Sequence, residues 1–317
     1  GSGAGNFQFG VVIQEITSTA GRLEVAGGAN LRLGANSTYS GGTRVEAGSK
    51  LEVLGGVTPG TGPITLAGGT LTVVPFTQGL RGRYYDNGTT NPTTTWFDTL
   101  DALWAQFGPR TPNVTALTTT GGRTTLNFGT TLPLFTDQGF TKSTQFSAIW
   151  DGYIYVGTGG THTFYTSSDD GTMLWINGIN VVYNNYYQGN TERSGMITLA
   201  PGYHEIVISY YQGTGSGALN VSSTLTGTKA SIPNSLLFFP GGTAVLPNRI
   251  DLAANSTLEV AAGSAIFQGA ITGSFGLTKT GAGTVVLANT GNTYSGTTTV
   301  AAGTLALGGN LLNSNVV

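Results

Sequence analysis

The sequence predicts an all-β protein in which parallel β-solenoid (β-helix) coils at both ends flank an inserted antiparallel β-sandwich. Three observations lead to this fold class. Segments near the two ends repeat each other, glycine supplies 51 of 317 residues, and the middle of the chain is richer in aromatic residues. Short strands separated by Gly, Asn or Ser turns are typical of repeat proteins, whose coils bury their apolar faces only by stacking.

The composition excludes several classes of function. Charged side chains make up 9% of the residues and the formal net charge is −2, so the chain lacks the basic field that attracts nucleic acids or anionic membranes. Because there is no cysteine, disulfides, thiolate metal sites and cysteine nucleophiles are excluded. No apolar run reaches the roughly 18 residues of a membrane span. We therefore expect no nucleic-acid partner and no membrane span in this chain.

One repeat occurs near each end of the chain. Residues 35–56 read ANSTYSGGTRVEAGSKLEVLGG and residues 291–309 read GNTYSGTTTVAAGTLALGG. They share T-Y-S-G, then T-x-V-x-A-G, then L-x-[VL]. A second pair, at 64–73 and 250–260, consists of two short strands joined by a Gly or Asn turn. We interpret this second pair as equivalent coils, so that the region between them interrupts a continuous solenoid.

The carboxyl-terminal copy resembles the autotransporter-associated β-strand repeat. The resemblance rests on LTKTGAGTVVL at 277–287 followed by NTYSGTTTVAAGTL at 292–305. It implies a passenger-like adhesin that is secreted, extracellular or on the cell surface of a bacterium. In the amino-terminal copy LEVA replaces L-T-K-T at residues 23–26, so we expect its first coil to be irregular.

The inserted region contains all four Trp and both His residues. Its segments FSAIWDGYIY (146–155), THTFYTSSDDGTMLWING (161–178) and LAPGYHEIVISYY (199–211) alternate and are rich in aromatic and β-branched residues, which indicates a β-sandwich. With GLRGRYYDN at 79–87, these segments resemble the PA14 domain, and S-D-D-G and L-x-P-G-x-H are the most specific parts. The resemblance implies a PA14-like sandwich.

The repeats and the inserted region divide the chain into four predicted parts. They are an amino-terminal strand or arm at 1–22 that is a candidate inter-subunit contact, solenoid at 23–78, PA14-like sandwich at 79–238, and solenoid at 239–317.

Several PA14 domains bind sugars through calcium, and others serve structural or targeting roles. In the sugar-binding members an adjacent acidic pair holds one Ca²⁺ that chelates vicinal sugar hydroxyls, and Asp169 and Asp170 match that pair. Neighbouring strand side chains normally alternate, so both carboxylates converge only at a turn or a cis peptide bond. The alternative is that the two aspartates shape a turn before Gly171 through Asx-type hydrogen bonds.

Calcium takes about six to eight oxygen ligands, so other loops are expected to contribute. The candidate ligand-binding amides are Asn184, Asn185, Asn190 and Asn220. Tyr186 and Tyr187 lie in the polar loop VVYNNYYQGN and are candidates for stacking on a sugar ring. Tyr183 either contacts sugar or packs in the sandwich. Trp175 lies inside an alternating strand, which favours a core position.

Enzymatic activity is not expected. An adjacent carboxylate pair cannot flank a scissile glycosidic bond. Asp151, in W-D-G, fits a turn, and Asp98 and Asp101 fit the start of a short helix. His162 and His204 lie on different predicted strands, where a lone histidine is usually part of the packing.

The expected function is that of a non-enzymatic extracellular surface or matrix protein whose solenoid displays a PA14-like glycan-binding module. One alternative is a purely structural filament or spacer without a ligand, and a more remote one is an accessory module of a glycan-active enzyme. Residues 7–16 and 308–317 show no polar cap. This predicts either a fragment of a longer stalk or self-association end to end through the solenoid termini into an open filament.

Overall fold

Two compact units make up the part of the chain that the computed structural model describes, namely residues 6–9, 21–309, 311 and 314–317. The solenoid unit contains the described residues up to 77, residues 201–203 and the described residues from 240 onward. The sandwich unit contains residues 78–200 and 204–239. Apart from residues 6–9 and 21–22, the arm expected at 1–22 lies outside the described residues.

Strands dominate both units. Up to the insertion the strands are β1 (Asn6–Phe9), β2 (Leu23–Val25), β3 (Asn30–Leu33), β4 (Thr43–Glu46), β5 (Lys50–Leu54), β6 (Ile64–Ala67) and β7 (Thr70–Val74). Those of the middle region are β8 (Phe76–Gln78), β9 (Arg81–Asp86), β10 (Val114–Leu117), β11 (Asn127–Gly129), β12 (Phe146–Val156), β13 (Gly160–Asp169), β14 (Thr172–Ile176), β15 (Ile179–Asn184), β16 (Thr191–Leu199), β17 (Gly202–Gln212), β18 (Ala218–Ser223), β19 (Ala230–Ser231) and β20 (Leu237–Pro240). The remaining strands are β21 (Thr243–Leu246), β22 (Ile250–Leu252), β23 (Ser256–Glu259), β24 (Ser264–Phe267), β25 (Ile271–Gly273), β26 (Leu277–Thr280), β27 (Thr284–Leu287), β28 (Thr298–Val300) and β29 (Thr304–Leu307).

Helices are short, and the predicted all-β class is confirmed. In the described residues the α-helix α1 spans Leu100–Phe107 and begins after Thr99, whose side chain accepts a hydrogen bond from the backbone N–H of Ala102. Single 3-10 turns occupy Thr94–Trp96, Thr120–Gly122, Thr136–Gln138 and Asn234–Leu236. We find no helix in this part of the chain with the length and hydropathy that a membrane-crossing segment requires.

Three parallel sheets form the solenoid unit, each holding one strand position of successive coils. Their strand orders are β1-β3-β5-β7-β23-β26-β28, β2-β4-β6-β22-β25 and β21-β24-β27-β29. Because strand side chains alternate between two faces, every second residue points inward and stacks on its counterpart in the next coil. The predicted parallel solenoid is therefore confirmed.

The inward positions form an aliphatic ladder with one charged member. Leu51, Leu71 and Leu258 stack in register, and Lys279 occupies the next inward position. Lys279 is 1% exposed, and its Nζ donates to the carbonyl oxygens of Thr280 (2.8 Å), Gly281 (2.7 Å) and Ala302 (2.9 Å). Burial lowers the pKa of this lysine. Three carbonyl partners use all three ammonium protons, which makes the buried charge tolerable.

The solenoid runs without a break across the insertion. Strand β22 pairs with β6 with Ile250 opposite Ile64, and β23 pairs with β7 with Leu258 opposite Leu71. The predicted equivalence of coils 64–73 and 250–260 is confirmed. Residues more than 180 positions apart in the chain thus lie in adjacent coils and share one core.

The two T-Y-S-G repeats keep the same local contact but occupy different faces. Tyr39 and Thr43 join their hydroxyl groups at 2.6 Å, as do Tyr294 and Thr298. Thr43 begins β4, which pairs with β2 and β6, whereas Thr298 begins β28, which pairs with β26 in a different sheet. The motif therefore forms the same kind of corner at two different positions around the coil.

The sandwich unit consists of two antiparallel sheets with a common core, which confirms the predicted β-sandwich. The larger has the order β10-β9-β12-β17-β14-β15 with β20 attached to β12, and the smaller has the order β11-β18-β13-β16 with β19 attached. Side chains of both sheets, such as Tyr84, Leu174, Phe164 and Val221, fill the space between them. A smaller cluster on the other side of the larger sheet packs under α1 and contains Trp175, which is 3% exposed. The predicted core position of Trp175 is confirmed.

Candidate functional site

The acidic pair lies where β13 ends, two residues before β14. The peptide bond between Asp169 and Asp170 is cis. Asp170 is 6% exposed, and both its carboxylate oxygens accept backbone hydrogen bonds, Oδ1 from Gln188 (3.1 Å) and Oδ2 from Gly213 (2.8 Å). The partners of Asp170 therefore come from two distant loops, residues 185–190 and 213–217, instead of from the turn that follows it.

The Asp169 carboxylate is left without such partners. Among the described residues it has no hydrogen-bond donor, and neither aspartate forms an ion pair. Burial raises the pKa of Asp169, and the negative charge of Asp170 raises it further. Burial also raises the pKa of Asp170, although the N–H groups of Gly213 and Gln188 oppose the shift. A partly buried and an almost fully buried carboxylate thus repel each other, with no cationic side chain of the described residues paired to either.

Glycine at two positions allows the pair to be packed this closely. A Cβ atom at Gly171 would lie 2.3–2.6 Å from the ring and hydroxyl of Tyr211, and one at Gly213 would lie 3.0 Å from the ring of Tyr187. The first contact explains why glycine follows the two aspartates in S-D-D-G. The second shows that Tyr187 and the 213–217 loop meet at the acidic pair, since a Cβ at Gly213 would also lie 3.3 Å from Asp170 Oδ2.

The tyrosines of the 185–190 loop form an exposed aromatic edge beside the acidic pair. Tyr186 is 45% exposed and Tyr187 is 50% exposed. Tyr183, 43% exposed, meets Tyr186 with ring centroids 5.7 Å apart, and the Arg193 guanidinium lies 4.3 Å from the Tyr186 ring centroid. Burial, followed by the negative charge of Asp170, raises the pKa of Tyr187. Tyr187 is therefore the tyrosine of this loop that borders the carboxylates.

Two of the four candidate amides lie in the interior. Asn184 is fully buried, and its Nδ2 donates to Ser168 Oγ and to the carbonyl oxygens of Thr166 and Thr191. Asn185 is 2% exposed and donates to the carbonyl oxygen of Thr94 (2.8 Å) and to Asp98 Oδ1 (2.7 Å). Both amides hold the 185–190 loop on the sandwich, so their observed contacts are with protein groups.

The other two amides lie nearer the surface. Asn190 is exposed, and its Oδ1 accepts a hydrogen bond from Ser167 Oγ (2.8 Å). Asn220 is half-buried on β18, where it accepts from Ser231 Oγ (2.7 Å) and donates to Ser222 Oγ (3.2 Å). The structure thus gives each candidate amide a protein partner and brings only the tyrosines and the two aspartates together at one surface.

Two features of the site have no counterpart in the sequence-based expectations. Asp98 accepts hydrogen bonds from the Tyr183 hydroxyl (2.9 Å) and from Asn185, so it borders the aromatic edge. The loop 213–217 supplies the backbone N–H that holds Asp170. The run QGTGSG at 212–217 is the signal that points to this loop, because alternating glycines after a long strand indicate a tightly packed turn.

The remaining acids of the sandwich unit are mostly structural. Asp151 was expected in a turn, but it lies within β12 and forms ion pairs with Arg81 (2.8 Å) and Arg83 (2.9 Å). That expectation was wrong because the strand continues through Gly152, which has a φ of +154° and whose Cβ, if present, would collide with the Phe238 carbonyl. Asp98 and Asp101 lie at the start of α1, as expected.

Calcium, which the PA14 resemblance implies, fits the oxygen donors at this site. Asp169 and Asp170 offer hard carboxylate oxygens, which Ca²⁺ prefers, and their uncompensated charge is what a divalent cation would neutralise. Within the described part of the chain no three His, Cys, Asp or Glu side chains cluster as metal ligands. The two aspartates would hold the ion, with the remaining oxygens coming from carbonyl groups, water or a ligand.

Both histidines lie on strands, as expected. His162 Nε2 lies 3.0 Å from the Thr158 carbonyl oxygen. His204 is 4% exposed, its Nε2 lies 2.8 Å from the Ala200 carbonyl oxygen, and its Nδ1 lies 2.9 Å from Asn177 Nδ2. Asn177 Oδ1 accepts from the Glu205 N–H, which orients the amide so that His204 Nδ1 must accept. Burial lowers the pKa of His204, consistent with a neutral ring.

His204 should make the sandwich unit less stable in mild acid. Its folded-state pKa lies below the ordinary 6.5, so the unfolded chain takes up a proton first and stability is lost as the pH falls below about 6.5. We expect the free energy of unfolding to fall less between pH 7 and 5 in His204→Leu than in the wild type. Met196→Leu, a non-titrating change at an exposed residue of the same unit, is the control and should keep the wild-type slope. An NMR titration that gives His204 a pKa of 6.5 or above would contradict the prediction.

Two family patterns match the chain. The PA14 domain matches residues 78–235, and the passenger-associated-transport-repeat matches residues 23–49 and 277–307. The anti-sigma-I factor RsgI3 of Acetivibrio thermocellus is 34% identical over 104 residues, which cover 32% of this chain and 16% of that protein. The chain therefore spans about a sixth of the length of this curated relative.

Solved structures are similar in fold to about half of this chain. The PA14 domain of the MpAFP antifreeze protein is 19% identical with a TM-score of 0.42, covering 52% of this chain and 92% of that one. The PA14 sugar-binding domain from an RTX adhesin is 22% identical with a TM-score of 0.42, covering 51% of this chain and 98% of that one. The epithelial adhesin 6 A domain of Candida glabrata, in complex with Galb1-3GlcNAc, is 16% identical with a TM-score of 0.40, covering 51% of this chain and 87% of that one.

The strand pairing and the two family patterns define a class of protein in which an antiparallel β-sandwich is inserted into a parallel β-solenoid. More particularly, this chain contains a PA14 domain inserted into a β-solenoid of autotransporter passenger-type repeats. The two resemblances found in the sequence motifs are confirmed.

Proposed function

We propose that this chain is a non-enzymatic surface protein whose PA14 domain binds a glycan through a calcium ion held by Asp169 and Asp170. The solenoid serves as the carrier, located outside the cell or on its surface. The observation that carries the proposal is the Asp169 carboxylate, which has no donor or cation among the described residues although burial and Asp170 both raise its pKa.

The charges at the site support a cation. Asp86, Asp137, Asp151 and Glu192 of the same unit pair with Lys or Arg side chains. The acidic pair does not, even though Asp170 is almost fully buried. Desolvated carboxylates normally acquire a partner or a proton, so a bound divalent cation would account for two of them side by side at neutral pH.

The surroundings support a sugar as the ligand. A calcium ion on two carboxylates keeps open positions that the vicinal hydroxyl groups of a sugar can fill as neutral oxygen ligands. Tyr187 presents a half-exposed ring next to Asp170, and Tyr186 extends the aromatic edge. Tyrosine rings offer an apolar face together with a polar tip, which suits the C–H face and the hydroxyl groups of a pyranose ring.

Calorimetric titration of Ca²⁺ into chelator-treated protein at pH 7 tests the calcium part. We expect one site, and the bound ion should raise the free energy of unfolding of the PA14 domain by about 2.7 kcal/mol at a Ca²⁺ concentration 100 times the dissociation constant. Mg²⁺ is the control, because its smaller, strictly octahedral shell is less readily met by protein oxygens. No binding heat and no thermal shift at millimolar Ca²⁺ would refute the calcium site.

End-to-end self-association of the solenoid stays a separate prediction. In the described residues β29 pairs on one side only, with β27, and its four residues are uncharged. An uncharged strand edge can accept another strand, which is the interaction that a structural filament would use. Sedimentation velocity should then show species that grow with concentration, and a single monomeric species at all concentrations would refute stacking.

A further inference from the structure

A buried polar pair lies beneath the acidic residues on β17. Tyr210 and Gln212 are both fully buried, and their side chains point into the sandwich. A buried amide and a buried hydroxyl each cost stability unless their polar atoms are paired. Their partners therefore show what these two residues hold in place.

The Tyr210 hydroxyl links the acidic pair to Gln212. Its oxygen lies within hydrogen-bond distance of the Asp169 carbonyl oxygen and 2.9 Å from Gln212 Oε1, so its single proton is shared between two acceptors. Tyr210 thus contacts the backbone of the first aspartate directly, on the side away from the solvent.

The Gln212 amide holds the neighbouring loop. Its Nε2 donates to the carbonyl oxygens of Thr214 (3.3 Å) and Ser216 (2.6 Å), and so spans the loop 213–217 from within. The first residue of that loop, Gly213, donates its N–H to Asp170 Oδ2 (2.8 Å). The loop is therefore tied to the acidic pair twice, through the Asp170 carboxylate and through the chain Gln212–Tyr210–Asp169.

We propose that Tyr210 and Gln212 are positioning residues for the calcium site and set the placement of Asp169, Asp170 and the 213–217 loop relative to one another. The inference rests on the proposed function of the acidic pair. Neither side chain reaches the surface, so neither contacts the ion or the glycan. A fully satisfied buried network fixes one geometry where apolar packing would tolerate several, and groups that orient metal ligands typically change metal affinity by about 10–100-fold.

Tyr210→Phe tests the proposal, because it removes only the hydroxyl. The matched control is Tyr84→Phe, since Tyr84 is also fully buried in the sandwich core and its hydroxyl is bonded to Trp150 Nε1 (3.1 Å) and not to the acidic pair. Both variants lose one buried hydroxyl group, so both should lose some thermal stability. Only Tyr210→Phe should raise the dissociation constant for Ca²⁺, by about 10–100-fold, in calorimetry at a temperature where both variants are folded.

Gln212→Met provides a second variant that keeps the volume of the side chain but removes the amide. It should weaken Ca²⁺ binding in the same range as Tyr210→Phe. If Tyr210→Phe and Gln212→Met change the Ca²⁺ affinity no more than Tyr84→Phe does, the positioning role is overturned.

Amide hydrogen exchange in calcium-free protein separates this inference from the calcium proposal. The Gly213 amide, bonded to Asp170, should exchange at least about 10-fold faster in Tyr210→Phe than in Tyr84→Phe, because the loop loses one of its two attachments to the acidic pair. A wild-type protein that takes up no Ca²⁺ overturns the proposed function, and the exchange rates alone then decide the positioning role. Equal exchange at Gly213 in the two variants overturns the positioning role whether or not Ca²⁺ binds.

Discussion

Replacing Asp169 by asparagine is expected to raise the dissociation constant for Ca²⁺ at least about 100-fold. This exceeds the change of about 10–100-fold that is typical when a residue that only orients a metal ligand is lost. The substitution keeps the size of the side chain and removes one of two negative charges on the ion. Since no described residue donates to the Asp169 carboxylate, the variant should fold normally. Asp169 is therefore a cleaner test position than Asp170, whose carboxylate accepts two backbone hydrogen bonds.

Asp101→Asn is the matched control, because Asp101 is an exposed acid of the same domain in the first turn of α1. It should leave Ca²⁺ affinity within about twofold, as expected for an exposed charge that solvent and salt screen. An Asp169→Asn protein that binds Ca²⁺ as tightly as Asp101→Asn would show that the acidic pair does not hold the ion.

The same substitution should stabilise the protein when calcium is absent. Because the folded-state pKa of Asp169 is raised, the folded domain holds its proton longer than the unfolded chain, and stability is lost as the pH rises from about 4 through the folded pKa. In EDTA at pH 7 the Asp169→Asn variant should thus unfold at a higher temperature than the wild type. At pH 3 the difference should be smaller.

Removing the whole PA14 domain is expected to leave a folded solenoid. Thr72 pairs with Glu259 and Thr243 pairs with Ser264, and four residues join Glu259 to Ser264. Deleting residues 76–241 joins Pro75 to Gly242 and again leaves four residues between Thr72 and Thr243. The shortened chain should therefore form a coil of regular length and unfold cooperatively with a β-type circular dichroism spectrum.

A deletion that is one residue longer serves as the control. Removing 76–242 shortens the corner to three residues and takes away Gly242. The Gly242 carbonyl oxygen packs closely on Gly263 of the next coil, since it lies only 2.3 Å from the position that a Cβ atom on Gly263 would occupy. We expect this variant to unfold at a lower temperature than the first. An unfolded or aggregated protein after the first deletion, with the isolated PA14 domain still folded, would contradict a solenoid that is continuous across the insertion.

The solenoid could be predicted from the sequence because its signals are local and periodic. Alternating aliphatic residues and glycine corners recur from coil to coil, so 64–73 and 250–260 were recognisable as equivalent. Which of the three sheets follows a T-Y-S-G corner depends on where each coil begins along the chain. No local sequence pattern encodes that starting point. The T-Y-S-G corners at Tyr39 and Tyr294 accordingly looked alike but lie at different positions of the coil.

The site could be predicted only in part, because its contacts join residues that are far apart in the chain. Asp169, Asp170, Tyr186 and Tyr187 stand out as an acidic pair and an aromatic loop. The burial of Asn184 and Asn185 does not follow from a polar, tyrosine-rich run, since it is decided by acceptors on β13 and near Asp98. The link from Asp170 to Gly213 spans 43 positions, beyond any periodic signal.

A glycan array probed with the wild-type protein in Ca²⁺ and again in EDTA tests the central claim most directly. We predict that the wild type binds a restricted set of glycans with vicinal hydroxyl groups in Ca²⁺ and none of them in EDTA. Asp169→Asn should bind no glycan in either buffer, and Asp101→Asn should bind as the wild type does. Binding of the same glycans in EDTA, or by Asp169→Asn, would contradict a calcium-dependent glycan site on this PA14 domain.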